Sequence, residues 1–362
     1  MSAEIRVQDD IGEQLVLEGP AQRVITLAPH LTELVYAVGG GDQITATVAW
    51  SDFPAAAKAL PVIGSNNKIN YEALLQYQPD LVLVWLSGNG ESMIKRLKSL
   101  GLNVYVNKPR HLDDIPRSVL NIGKLLGRED TAEPVAAQFR QAIKTLGDEY
   151  GQSRPVTVYY QIWQSPLMTF GGSHLVSDVM ALCGGHNVFA NTAGLVPRLS
   201  VESVLAADPE VIVVGQYTEA GTAFDYWRQW PQLRAVAGGH IYDVDPYLLH
   251  RHTPRIVKGA RQLCEAIDHA RRHNAGQSII APVKKPPGGG FFLFTLTGKH
   301  NRYSSISSDI VAPLIMLGDI QPLGFLLVVY SQTNHQVNQL QQYKSQYGSI
   351  GKRTEYPDKL DF

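Results

Sequence analysis

The sequence predicts an α/β protein: two α/β lobes with mainly parallel sheets, bridged by a single long helix, with a ligand cleft between them and an extra C-terminal tail. Three observations predict it. Strand and helix signals alternate twice along the chain, the pattern of parallel sheets covered by helices. The unit 71-YEALLQYQPDLVLVW-85 returns as 201-VESVLAADPEVIVVG-215; Glu72 matches Glu202, Leu75 matches Leu205, Pro79 matches Pro209 and 81-LVLV-84 matches 211-VIVV-214, each pair 130 residues apart. Between the two copies, 131-TAEPVAAQFRQAIKTLGDEY-150 places Val135, Phe139, Ile143 and Leu146 on one helical face. A helix of that length spans roughly 25–30 Å, the width of a small domain.

The elements follow in order. Residues 23-RVITLAP-29 read as a buried strand, and 30-HLTELVYAVG-39 as a helix stopped by 39-GGG-41. A strand at 44–50, a turn at 51-SDFP-54, a helix at 71–77, a strand at 81–85, a helix at 91–100 and a strand at 102–106 complete an N-terminal lobe, residues 1–110. Residues 111–153 form a helical segment that includes the bridging helix, with Thr131 as its N-cap and Pro134 in its first turn. The C-terminal lobe, 154–272, takes a strand at 156–163, helices at 174–183 and 201–206, strands at 211–215 and 240–245, and a helix at 253–270. Residues 273–362 change character: a Pro/Lys/Gly-rich linker, then 308-SDIVAPLIMLGDIQPLGFLLVVY-330, then a polar end. The apolar run has the length of a membrane span, but Gly318, Asp319, Pro322 and Gly324 interrupt it. A poorly ordered appended tail is the expectation there, with a small packed module and a membrane anchor as the alternatives.

Composition narrows the function. The 362 residues carry 32 Lys+Arg against 33 Asp+Glu, so no basic excess exists to neutralise a nucleic acid. No GxSxG, P-loop, HExxH or post-strand GxGxxG is present, which argues against the common hydrolase, nucleotide and zinc-protease chemistries. The two cysteines, Cys183 and Cys264, have no metal-ligand spacing; they read as buried thiols in a cytosolic chain or a disulfide in an exported one. The opening MSAEIRVQDDIG shows no basic n-region or apolar h-region, so either the protein is cytosolic or a leader lies outside this sequence.

Two lobes on one helix leave a cleft, the usual place for a ligand. The helix start at 28-APHLTE-33 presents unsatisfied N–H groups that suit an anion or amide, unless Thr32 caps it. Trp50, Trp85, Trp163, Tyr160 and Phe170 sit at or after strand ends, where they make flat walls for a ring-rich ligand or belong to the core. His250 and His252 form an HxH pair without a third ligand at diagnostic spacing, the basis of a metalloenzyme alternative. Glu72 and Glu202 each begin a helix, where the dipole favours a carboxylate; equally, they are two matched contacts for a partner with two basic sockets.

On 23-RVITLAPHLTELVYAVG-39, 50-WSDFP-54, 72-EALLQYQPDLVLVW-85, 182-LCGGHNVF-189, 199-LSVESVLAADPEVIVV-214 and 253-TPRIVKGARQLCEAI-267, residues 1–270 resemble class III, helical-backbone periplasmic substrate-binding proteins, nearest their cobalamin (vitamin B12) branch. The resemblance implies a monomeric, non-catalytic protein that needs no cofactor. It would hold a corrinoid between the lobes in the periplasm and deliver it to an ABC transporter permease dimer. It assigns docking to Glu72 and Glu202, a disulfide to Cys183 and Cys264, and ligand contact to Pro29, Trp50, Asn66, Trp85, Trp163, Met168, Arg198 and Arg251. Cobalamin binders carry aromatics where this chain has Asn66, Met168 and Val196, so Trp85 and Trp163 are expected to replace that surface. Ferric-siderophore and heme receptors of the same class are the competing reading, and some heme binders present a tyrosine near the position of Tyr71.

Overall fold

The computed structural model describes residues 4–277 apart from positions 216, 218 and 219. The passages expected after 277 lie outside the described residues. An antiparallel hairpin, β1 (Ile5–Gln8) and β2 (Gln14–Leu17), opens the chain and is absent from the sequence expectations. Its inward residues Ile5, Val7 and Leu17 join the core of the first lobe.

That lobe contains β3 (Val24–Thr26), α1 (Pro29–Ala37), β4 (Ile44–Ala46), α2 (Tyr71–Gln76), β5 (Leu81–Trp85), α3 (Leu86–Ser99) and β6 (Val104–Asn107). Its sheet is wholly parallel, in the order β4-β3-β5-β6. Four consecutive buried residues in β5, Leu81 to Val84, are what a strand covered on both faces requires. β3 and β4 are shorter than expected, because α1 starts at Pro29 and the chain after β4 bends towards Trp50. The helix expected at 91–100 is the part of α3 beyond a break at Gly90, whose φ of +76° suits glycine.

Two helices follow, α4 (Asp114–Leu126) and α5 (Glu129–Tyr150), separated by Gly127 in the left-handed conformation that ends helices. α5 begins before Thr131, so the N-cap position falls on Arg128 and Pro134 sits inside the helix. At 22 residues it is about 33 Å long. Ala132 and Ala136 pack in the first lobe's core, whereas Phe139, Leu146 and Tyr150 pack in the second's. One rigid rod is therefore buried in both cores, and this is the bridge.

The second lobe contains β7 (Val156–Gln161), β8 (Trp163–Gln164), β9 (Leu167–Met168), α6 (Leu175–Leu182), β10 (Gly185–Asn187), α7 (Val201–Ala207) and β11 (Val211–Val214). It ends with α8 (Ala220–Arg228), α9 (Arg234–Ala237), β12 (Ile241–Asp243), α10 (Pro246–Leu249) and α11 (Ile256–Gln277). α11 runs five residues past the boundary expected at 272. Its parallel sheet has the order β10-β7-β11-β12, and β8 and β9 form a separate antiparallel hairpin. The two main sheets share one topology: the first strand takes the second on one side and the third on the other, and the fourth lies outside the third. The α2–β5 and α7–β11 units occupy equivalent places, so the repeated sequence is a repeat of structure. Cys183, at the end of α6, is disulfide-bonded to Cys264 of α11, with Cα atoms 4.7 Å apart.

Candidate ligand cleft

In each sheet the connections leave the first strand in opposite directions, and ligands of open α/β folds sit outside the strand ends at such switch points. At the first lobe's switch point lie Pro29 and His30, opening α1, and Trp85, ending β5. The His30 and Trp85 rings meet edge to face at 5.3 Å. Buried Asn89 ties this corner together: its carbonyl accepts from the Trp85 N–H at 2.6 Å, and its amide donates to the carbonyls of Leu27 (2.8 Å) and Asn66. Pro29, Asn66 and Trp85 are thus brought into one wall.

Trp163, Met168 and Arg198 form a second group. Trp163 and Met168 are directly paired across the β8–β9 hairpin, which puts their side chains on one face. Arg198 bridges Met168 from the neighbouring segment, where the Leu199 N–H donates to the Leu167 carbonyl at 2.8 Å.

Trp50 stands apart. It follows β4 with φ of +68°, a left-handed conformation that costs a residue with a Cβ about 1–3 kcal/mol. Its indole is 63% exposed. The next residue, Ser51, joins a buried hydroxyl cluster in which Thr26, Thr32 and Thr47 lie 2.7–2.9 Å apart and Thr47 donates to Ser51 at 2.8 Å. Thr32 belongs to this cluster and makes no N-cap to α1.

Across from Trp50, Arg251 is buried and reaches from the second lobe into the first. Its Nη1 donates to Glu33 Oε1 (2.6 Å) and Asp52 Oδ1 (2.9 Å), and its Nη2 to the Trp50 carbonyl (3.1 Å). Glu33 also accepts from the Thr253 hydroxyl at 3.1 Å and faces Arg255 at 3.5 Å. Burial pushes the Glu33 carboxyl up, against the pull of Arg251 and Arg255. Burial lowers the Arg251 guanidinium, but its bonds to Glu33 and Asp52 outweigh that and hold it above its ordinary value. Arg255 lies 3.6 Å over the Phe53 ring, a cation–π contact, and Arg251 lies 5.1 Å over Tyr247. Exposed Tyr217 packs against Tyr247 at 5.0 Å and His250 at 5.6 Å.

Beneath these lies a histidine cluster. His252 is 5.7 Å from His30 and 6.0 Å from His174, and His174 stacks on Phe170 at 3.6 Å. Desolvation keeps the imidazoles neutral: His30 falls to about 4, aided by Arg251, and His174 and His250 to about 3. His250 Nε2 is 2.9 Å from the Tyr160 hydroxyl, and His30 Nε2 is 3.1 Å from Asn107 Oδ1. Among the described residues no group of three or more His, Cys, Asp or Glu is arranged to hold a metal ion. Tyr160 and Phe170 are buried in the second lobe's core.

Glu72 and Glu202 occupy the same place in their helices, the second residue, behind the side-chain caps Asn70 and Ser200. Both are exposed and neither forms an ion pair among the described residues. Its own backbone N–H and the Ser200 hydroxyl hold the Glu202 carboxyl below its usual range.

A family model described as Periplasmic binding protein matches residues 24–248. The chain belongs to that family. A vitamin B12-binding protein of Yersinia pestis is 37% identical over 246 residues, 68% of this chain and 86% of the relative. The crystal structure of the periplasmic vitamin B12 binding protein BtuF of Vibrio cholerae superposes with a TM-score of 0.66 at 32% identity, over 70% of this chain and 99% of that one. The apo form of a periplasmic heme-binding protein from Roseiflexus shares the fold, with a TM-score of 0.62 at 22% identity over 69% and 99%.

Proposed function

We propose that this protein captures a corrinoid between its lobes and hands it, without catalysis and as a monomer, to an ABC transporter permease in the inner membrane. Relatedness carries the reading: identities of 32–37% are to proteins named for vitamin B12, against 22% to the heme binder. The site chemistry supports it. Pro29, Asn66 and Trp85 from one lobe and Trp163, Met168 and Arg198 from the other form the walls, and Trp50 adds an exposed indole at the junction. The Cys183–Cys264 disulfide suits an oxidising compartment, in keeping with a periplasmic location. Glu72 and Glu202 are the docking contacts for basic residues on the permease.

The test is direct. Protein incubated with cyanocobalamin, hemin or a ferric siderophore and then desalted should retain the cobalamin spectrum in a one-to-one ratio. Retention of hemin or siderophore instead, with no retained cobalamin, would overturn the corrinoid assignment.

A further inference from the structure

We propose that Arg251 is a positioning residue, one that reaches across from the second lobe to fix the backbone of Trp50 and so sets the indole at the lobe junction. The proposal deepens the corrinoid reading and rests on it for the identity of the ligand.

All three hydrogen-bond acceptors of Arg251 belong to the first lobe: Glu33, Asp52 and the Trp50 carbonyl, at 2.6, 2.9 and 3.1 Å. They are two side chains and one main-chain oxygen, set around a planar fork that a lysine ammonium cannot match. Glu33 is itself anchored by Thr253, so the guanidinium is held in place before it meets the loop. Trp50 needs such support. Its backbone is in the left-handed region and its ring, 63% exposed, makes no ring contact with any described residue. From its own lobe the loop is held by Ser51, through the threonine hydroxyls, and by the Ala49 N–H on the Gly64 carbonyl at 2.8 Å. From the other lobe Arg251 holds Trp50 and Asp52, and Arg255 covers Phe53. Residues 50–53 are therefore shaped between the lobes, and separating the lobes releases the indole. Ligand recognition by Trp50 and lobe closure become a single event.

The experiment compares wild type with R251K, W50A and the double variant. R251K keeps a cation against buried Glu33 and so keeps the fold, which a thermal melt verifies. Hydrogen exchange followed by mass spectrometry should show residues 49–54 exchanging at least tenfold faster in R251K, with the strands of both lobes unchanged. Cyanocobalamin affinity should fall about tenfold in R251K and in W50A, and no further in the double variant. Unchanged exchange at 49–54 overturns the proposal, as do losses that multiply in the double variant, because Arg251 would then act on the ligand directly. If wild-type protein retains no cobalamin, the corrinoid reading fails alone, and the exchange measurement still decides the role of Arg251.

Discussion

Acidification should loosen this protein well before its carboxylates are neutralised, because of the histidines between the lobes. His30, His174 and His250 are buried and neutral, and their imidazoles protonate only near pH 4 for His30 and pH 3 for the other two. In the unfolded chain the same groups protonate near 6.5. Their folded values are lowered, so the unfolded state binds more protons in this window. Stability is complete above pH 6.5 and is lost as pH falls towards the folded values. At pH 4.5 each of these three histidines removes about 2.6 kcal/mol, together about 8 kcal/mol, a large part of an ordinary protein's stability. His252, also lowered, adds to the loss, whereas Glu33, raised by burial, works in the opposite direction. Thermal melts between pH 7.5 and 4.5 should show the melting temperature falling by about 14 °C for a chain of this size. H174N keeps an acceptor for the Val176 N–H at the start of α6, and it should remove about a third of the fall. A melting temperature that stays flat to pH 4.5, or a fall that H174N leaves unchanged, would refute the reasoning.

Reducing the Cys183–Cys264 bridge opens an 81-residue loop, and chain entropy puts the loss at about 4.5 kcal/mol, read as a melting temperature lower by about 8–10 °C under reductant. G64A should destabilise by about 2 kcal/mol or more in urea melts, since its backbone is left-handed and a Cβ would stand 2.2 Å from the Lys68 carbonyl. Reversing both exposed glutamates, E72K with E202K, should leave the melting curve and cobalamin affinity within error while abolishing cobalamin uptake by cells; an equal loss of affinity would place them in the cleft instead.

The lobes were legible because their determinants are local. A strand buried on both faces needs a continuous apolar run, and 81-LVLV-84 and 211-VIVV-214 supply one each. The bridge was legible from four apolar residues on one face, although its start was not, since the backbone enters the helix at Glu129 without a side-chain cap. The hairpin β1–β2 was missed because four-residue strands with alternating polarity carry little signal. Within the cleft, aromatics and Arg251 stand out in a sequence, but Glu33 does not. It sits in a helix start where six consecutive residues, His30 to Val35, are buried, and only the second lobe explains why a carboxylate belongs there. The histidine cluster was equally hidden, because His30, His174 and His252 lie 222 residues apart at the extremes and meet only when the lobes do.

The same separation of local from long-range determinants bears on how the two halves share their work. The repeat is most faithful at α2–β5 and α7–β11, where each copy presents an exposed glutamate from an equivalent helix start. Two equal contacts suit a partner that is itself a dimer, if docking is as proposed. Towards the cleft the repeat breaks down. The loop at 50–53 of the first lobe is gripped by Arg251 and Arg255, both from the second. An asymmetric ligand needs unlike walls, and an ion pair with its acid on one lobe and its base on the other holds the lobes in a single register. Breaking a buried pair of this kind typically costs about 3–5 kcal/mol because one charge is left without its partner. Separating the lobes therefore gives up the Arg251 bridge and the hold on the Trp50 loop together. Trp50, bonded to that bridge through its own carbonyl, presents its exposed indole at the same junction.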